Sequence, residues 1–227
     1  MSNKKRLVIG IPGWKVGENS FGCGIHHLEY IRGFGIPRIL FPEEAEPQVD
    51  VLYLPGGADL NPSVYGRIPS LYTSNTDVNK QFFYDNRLDY FIKSGIPIFG
   101  ACLGFQMICA KFSSILAQHL YDHPDSTGRG EAGHKVIVVN GAHTGKIFEV
   151  NSHHHQGVFS SYLGGPLEAL AVYKESKSDP DPLVEAVRHK SLPIYGVQWH
   201  PEEFFTSYAD ELFQLACDHA HKRINEK

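Results

Sequence analysis

A chain of 227 residues, 42 % hydrophobic and 20 % charged, has enough material for one sizeable core and the composition of an ordinary soluble globular protein. Its formal charge of −4, with no basic run longer than Lys4-Lys5-Arg6, gives no indication of a nucleic-acid surface. No apolar stretch approaches the ~18 residues that a membrane helix needs, and four cysteines without paired spacing argue for a reduced, cytoplasmic setting rather than a disulfide scaffold.

Taken in chain order, Arg6–Ile11 reads as a first strand, its apolar run too short for a signal peptide. Ile25–Phe34 follows as a helix, then strands at Pro37–Phe41 and Val51–Leu54. Asn79–Lys93 reads as a helix, Ile96–Phe99 as a strand and Leu103–Phe112 as a helix. Short, nearly continuous apolar strands alternating with helices predict βαβ units and a mostly parallel sheet covered on both faces. Beyond Tyr121 the pattern changes: after a polar loop, Lys135–Val139, Ile147–Val150, Glu168–Tyr173 and Leu183–His189 predict short strands joined by turns, an antiparallel extension of that sheet. Ile194–Trp199 returns to the core and Ser207–Lys222 closes as an amphipathic helix. No repeat or linker divides the chain, so residues 1–227 read as one domain.

Three segments carry chemistry. In IPIFGACLGFQMICA the strand ends in Gly100-Ala101-Cys102-Leu103-Gly104 and becomes a helix. A sharp strand-to-helix turn pushes its central residue out of the sheet and needs small neighbours. Cys102 would then sit at a helix N-terminus, which favours the thiolate, with the Leu103 N–H directed at the same place. A lone buried cysteine is ordinarily a small hydrophobe, and Cys109 and Cys217, inside helical patterns, fit that description. Flanking glycines would only weaken a helix start built for packing, so Cys102 does not.

The second segment, GVQWHPEE, ends a buried strand with His200, followed by Pro201 and Glu202. By itself His-Pro-Glu marks a strand-terminal turn. Paired with the cysteine turn it completes a Cys102–His200–Glu202 triad, the carboxylate fixing the imidazole tautomer and stabilising the imidazolium. The third, LPGGADLNP, ends a strand in Pro55-Gly56-Gly57, where the backbone can expose N–H groups; Gly57 is the second candidate oxyanion donor beside Leu103.

Together these segments, G-x-C-x-G-x-Q, P-G-G and W-H-P-E, resemble the class I glutamine amidotransferase-like superfamily. LPGGADLNPSVYG, NSHHHQGV and LVEAVRHKSLPIYGVQWHPE resemble most closely the gamma-glutamyl hydrolase-like peptidases, which include gamma-glutamyl-gamma-aminobutyrate hydrolase. The resemblance runs from Arg6 to about Leu215 and implies a flavodoxin-like α/β fold. It implies Cys102 as nucleophile, His200 as base, Glu202 as its orienter, and Gly57 and Leu103 as the oxyanion hole. It also assigns substrate contacts to Gly56 in the glycine loop, Gln106, His154 and Gln156. The implied reaction cleaves a γ-glutamyl amide through a glutamyl thioester and needs no cofactor and no metal.

Leu103 departs from the hydrolases, which carry Arg there, and gives the Cys-Leu-Gly of glutaminase subunits. The chain is thus a hybrid, and two readings stay open: a free-standing hydrolase releasing an amine, or a glutaminase passing ammonia to a separate synthetase subunit. A non-catalytic member of the fold is a third, which the intact triad argues against. The leaving-group side falls to the loops Asn61–Asn75 and Asp122–His134, and the oligomeric state stays open. Consecutive His153-His154-His155 would point alternately to opposite sides, so they are not read as one metal site. His26-His27 receives no function, Glu203 reads as a solvated neighbour, and Trp14, Tyr72, Phe82, Phe83 and Tyr84 read mainly as core.

Overall fold

A computed structural model describes residues 5–18, 20–74, 76–128, 130–176 and 178–226. Asn75 and Arg129, which belong to the two loops expected on the leaving-group side, lie outside the described residues, as does Lys4.

In chain order the elements are β1 (Val8–Pro12), β2 (Trp14–Gly17), β3 (Ser20–Gly22), α1 (Ile25–Arg32), β4 (Ile36–Leu40), β5 (Val51–Leu54), α2 (Val78–Asn86), α3 (Leu88–Lys93), β6 (Ile98–Ala101) and α4 (Leu103–Lys111). There follow β7 (His134–Val138), β8 (Ile147–Val150), β9 (Val158–Phe159), β10 (Leu167–Tyr173), β11 (Leu183–His189), β12 (Ile194–Val197) and α5 (Ser207–Asn225). The main sheet runs β4-β1-β5-β6-β12-β11-β10-β7-β8, with β9 against β11. Its first five strands pair in parallel and the remainder are antiparallel, which is the expected parallel sheet with its antiparallel extension.

Alternation along the central strands explains why they read as unbroken apolar runs. In β5, Val51 and Tyr53 face one core with Ile31 of α1 and Phe213 and Ala216 of α5, whereas Leu52 and Leu54 face a second core with Phe83, Phe91 and Ile108. Every residue of β5, β6 and β12 is buried, since helices cover both faces. In α5, Tyr208, Leu212, Phe213, Ala216, Cys217 and Ala220 form one buried stripe at helical spacing. Cys109 and Cys217 are buried and unpaired, as small core residues.

The structure corrects the sequence reading in three places. The expected helix Asn79–Lys93 is two, α2 and α3, broken at Arg87 (φ −122°, ψ −34°). There the Asn86 side-chain amide donates to Phe82 O (2.9 Å), competing with the backbone ladder, and Arg87 Nε donates to Pro42 O (3.0 Å). The last parallel strand before the cysteine is shifted toward it, because Gly100 and Ala101 pair with Gly196 and Val197 of β12. A small β2–β3 hairpin, largely exposed and without apolar alternation, was not legible in Trp14–Gly22.

Candidate active site

The cysteine turn is a direct product of how α4 packs on the sheet. Cys102 links β6 to α4 at φ 50° and ψ −107°, a conformation that costs a side-chain-bearing residue about 1–3 kcal/mol. Two backbone bonds hold it there: Cys102 N–H donates to Val197 O of β12 (2.9 Å), and Cys102 O accepts from Gln106 N (3.0 Å). The glycines are steric necessities. A Cβ at Gly104 would run into the Leu54 backbone, 2.7 Å from its carbonyl carbon, and one at Gly100 would lie 2.5 Å from the Gly104 carbonyl carbon. The helix can start on top of β5 and β6 only without them, and this seats Cys102 at the carboxyl ends of the parallel strands with 4 % of its surface exposed.

His200 reaches the thiol from the end of β12. The turn is anchored by Trp199, fully buried, whose Nε1 donates to Thr206 Oγ1 (3.1 Å). Asn151, also fully buried, clamps the His200 backbone on both sides: its Oδ1 accepts from His200 N (2.9 Å) and its Nδ2 donates to His200 O (3.2 Å). The imidazole lies beside Cys102, a Cβ on Gly56 approaching both, and its Nδ1 lies 2.8 Å from Glu202 Oε1. The carboxylate is itself held: Tyr53 OH donates to Oε2 (3.3 Å), and His27 Nδ1 lies 3.2 Å from Oε1.

This shell sets the charges. Burial by itself would push His200 down, but Cys102 and Glu202 beside it prevail and hold it well above its ordinary value. Burial would raise Glu202, yet its bond to His200 holds the carboxyl below the usual range. Burial lowers His27 to about 4 and raises Tyr53 far enough to keep it a donor. At neutral pH the triad therefore carries an imidazolium against a carboxylate, ringed by neutral donors.

The Pro55-Gly56-Gly57 strap crosses this site. A Cβ at Gly56 would press on the His200 ring, 3.1 Å from Nδ1, and lie 3.4 Å from Cys102 Cβ; one at Gly57 would lie 3.0 Å from Leu103 Cδ2. Lys80 of α2 reaches across to donate its ammonium to Gly56 O, with the Nζ 4.0 Å from the Trp14 ring centroid and burial lowering its pKa. In a trans peptide the C=O and the next N–H point opposite ways, so the lysine on Gly56 O turns the Gly57 N–H away from itself.

The remaining predicted residues form a second, buried network. Gln106 Nε2 donates to Gln156 O (3.2 Å) and Gln198 Oε1 (3.3 Å), Gln156 Nε2 donates to Gln118 O (3.4 Å), and His154 Nδ1 donates to Gln156 O (3.0 Å). The three histidines diverge as alternation requires. His155 Nε2 lies 3.1 Å from Asp59 Oδ1, whereas His153 turns to Asp125 and Glu203 with its ring 6.1 Å from that of His200. The structure thus brings Cys102, His200, Glu202, Gly56, Gly57 and Leu103 together and gathers Gln106, His154 and Gln156 behind them.

Sequence reasoning missed Lys80, His27, Tyr53 and Asn151. Lys80 shares the buried face of α2 with Phe83 and Tyr84 at i, i+3 and i+4, a phase visible in the sequence. Asn151 opens the NSHHHQGV segment, where nothing local marks it as a clamp on a strand end made 49 residues later. Tyr53 and His27 come to Glu202 through tertiary approach alone. Among the described residues, the groups placed to share a metal ion are His123, His134 and Glu185, with ligand atoms within 4.8 Å of one another.

The chain matches the family described as Peptidase C26 over residues 40–202. It is 30 % identical over 187 residues to a Schizosaccharomyces pombe protein named "Putative glutamine amidotransferase PB2B2.05", covering 76 % of this chain and 71 % of that one. It is 29 % identical over 146 residues to a glutamine-hydrolysing GMP synthase subunit of Thermococcus kodakarensis (63 % and 71 % covered). The structure of PurLQS from Thermotoga maritima shares the fold, with a TM-score of 0.62 at 14 % identity over 94 % of this chain and 99 % of that one.

Proposed function

Because the chain belongs to the peptidase C26 family, a class I glutamine amidotransferase-like family, we propose that it is a cysteine-dependent hydrolase of γ-glutamyl amide bonds, acting on glutamine or a γ-glutamyl amine. The observation that carries this reading is the strained Cys102 at the end of β6, facing an imidazole whose far nitrogen is 2.8 Å from a buried carboxylate. Strain of that size survives where the surrounding structure over-determines it, and here it aims a thiol at its base.

In the proposed reaction the Cys102 thiolate attacks the γ-carboxamide carbon. The oxyanion lies between the N–H groups of Gly57 and Leu103, each such donor being worth about 3 kcal/mol in known cases. Lys80 acts as a positioning residue by holding the Gly56 carbonyl. The His200 imidazolium gives its proton to the leaving nitrogen as the tetrahedral intermediate collapses to a thioester. Neutral His200 then takes a proton from water, which attacks the thioester carbon; glutamate leaves and Cys102 recovers the imidazolium as partner. Glu202 keeps the imidazole in one tautomer throughout.

A second reading is favoured by Leu103 and by the likeness to the Thermococcus GMP synthase subunit: a glutaminase that supplies ammonia to a synthetase on another chain. Glutamate release by the purified protein from glutamine and from a panel of γ-glutamyl amines, with Cys102→Ala as blank, separates the two. Turnover of one amine well above glutamine supports the free-standing hydrolase. Glutamine turnover alone, or silence while Cys102 is still alkylated by a glutamine-like chloroketone, supports the ammonia-supplying glutaminase. An unreactive Cys102 refutes both.

A further inference from the structure

Behind the triad, three imidazoles converge on one carboxylate that the proposed chemistry does not use. Glu185 on β11 is fully buried, and neither of its side-chain oxygens has a hydrogen-bond partner. Facing it are His134 at the start of β7, His154 from the segment before β9, and His123 from the loop after α4. His134 Nδ1 and Nε2, His154 Nε2 and His123 Nε2 are likewise buried without partners. Six unpartnered polar atoms in one cluster is an expensive arrangement for a core, since each would forfeit about 1–3 kcal/mol if nothing met it.

The distances identify what meets four of them, one nitrogen of each imidazole and one oxygen of Glu185. His134 Nε2 and His154 Nε2 stand 3.5 Å and 3.8 Å from Glu185 Oε1. A charge-assisted hydrogen bond between imidazolium and carboxylate would close to about 2.7–2.9 Å. A tetrahedral ion with bonds of about 2.0–2.1 Å instead separates its ligand atoms by about 3.4 Å. Two of the three ring pairs agree. The His123 centroid is 4.8 Å from that of His134 and 4.7 Å from that of His154, near the roughly 5 Å of two histidines on one zinc ion; those of His134 and His154, 6.4 Å apart, would draw together on binding.

The tautomer of His154 is decisive. Its Nδ1 is 3.0 Å from Gln156 O, and a carbonyl can only accept, so the proton is on Nδ1. In the neutral ring Nε2 then turns a lone pair toward a carboxylate oxygen, an arrangement that a cation between them converts from repulsion to attraction. An Nδ1–H bound to a backbone carbonyl is also how metal-ligating histidines are oriented.

We propose that His123, His134, His154 and Glu185 bind one zinc ion in a closed, structural site. Three imidazoles and one carboxylate suit zinc over calcium or magnesium, which take oxygen ligands. The site is not a cluster of the three consecutive histidines, since only His154 of that run takes part and its partners come from three other segments. His123, half-buried, lines a cleft of about 300 Å³ with Tyr121 and Tyr173, which gives the ion a route in. Bound zinc would tie β7, β11 and the loop after α4 to the 151–157 segment that also clamps His200 through Asn151.

The test uses the full chain without a histidine tag, grown with zinc and purified without chelator. Plasma mass spectrometry is expected to find about one zinc per chain, and cobalt exchanged into the protein is expected to show the visible bands of a tetrahedral ion. Re-adding zinc to chelator-treated protein should raise its Tm. Glu185→Gln should abolish stoichiometric zinc; because that variant removes a core charge and could misfold, His123→Ala at the cleft is the second variant. Its zinc affinity, read by competition with a chromophoric chelator, should fall at least about a hundredfold, the upper end of what loss of an outer-shell partner costs. His143→Ala, altering a histidine paired with Glu211 elsewhere, should bind as the parent does. Parent protein without zinc or cobalt bands, or a His123→Ala variant with parental affinity, would overturn the site in favour of a metal-free polar cluster. Zinc lost equally with His143→Ala would overturn it in favour of surface binding.

Discussion

Replacing Gly56 by alanine adds one carbon to the strap and tests the geometry of the triad without touching a reacting atom. The new Cβ would collide with the Cε1 edge of the His200 ring, and ordinary carbon contacts of about 3.5 Å require that ring to retreat on the order of 1 Å. Little slack exists for this. The His200 backbone is pinned by Asn151, Nδ1 is already 2.8 Å from Glu202 Oε1, and the strap is gripped by Lys80. A displacement of that size stretches the Nδ1–Oε1 bond past hydrogen-bond range or swings the ring off the thiol. Misplacement by about 1 Å costs about a hundredfold in rate, or roughly 2.7 kcal/mol of barrier. The assay is the rate of Cys102 alkylation by a glutamine-like chloroketone alongside glutamate release, with circular dichroism showing that the fold is kept. In a His200→Ala background the same change should cost almost nothing further, because the ring it displaces is gone. Parental rates for Gly56→Ala, or an equal additional loss in the His200→Ala background, would refute the reasoning.

Three further outcomes follow from the same geometry. Cys102→Gly and Cys102→Ala should both be inactive, but the glycine variant should be the more stable by about 1 kcal/mol in chemical denaturation, since the backbone strain of about 1–3 kcal/mol outweighs the roughly 0.4–1 kcal/mol entropy cost of glycine. Asn151→Ala should lower stability by about 1–3 kcal/mol by stranding the buried His200 N–H, and should reduce activity through the unclamped imidazole. His27, lowered by burial to about 4 against 6.5 when unfolded, contributes stability that is present above pH 6.5 and is lost as the pH falls through 4, because the unfolded chain takes up a proton the native state refuses. That loss is roughly 3 kcal/mol at most, and urea titrations from pH 7 to 4 should show it reduced in His27→Gln.

How much of this was legible depends on whether a feature is local. The strands β5, β6 and β12 are readable because burial on both faces removes polar residues from them, and the Cys102 turn because one tight backbone geometry dictates its neighbours. His200 and Glu202 are two residues apart, so their pairing is nearly intrinsic to the segment. The break at Arg87 was hidden, because Asn86 and Arg87 find their partners through side chains that periodicity does not register. Lys80 lies on the buried phase of α2, but its contacts with the strap and the Trp14 face come from tertiary approach that this phase does not announce. His123, His134, His154 and Glu185 carry no spacing signature, as they come from four separate segments brought together by antiparallel pairing and loop closure.

The position of β12 has a consequence for biosynthesis. This strand is the seam of the sheet, parallel to β6 on one side and antiparallel to β11 on the other, with Ile98 pairing with Ile194 across a long stretch of chain. On the ribosome, β6 emerges early and must wait for a partner made much later, a long-range closure of the kind that slows folding. During that interval the thiol has no imidazole, no carboxylate and no Val197 carbonyl to fix its backbone. The arrangement around Cys102 is thus completed only when a single central strand inserts, long after the cysteine itself has been made.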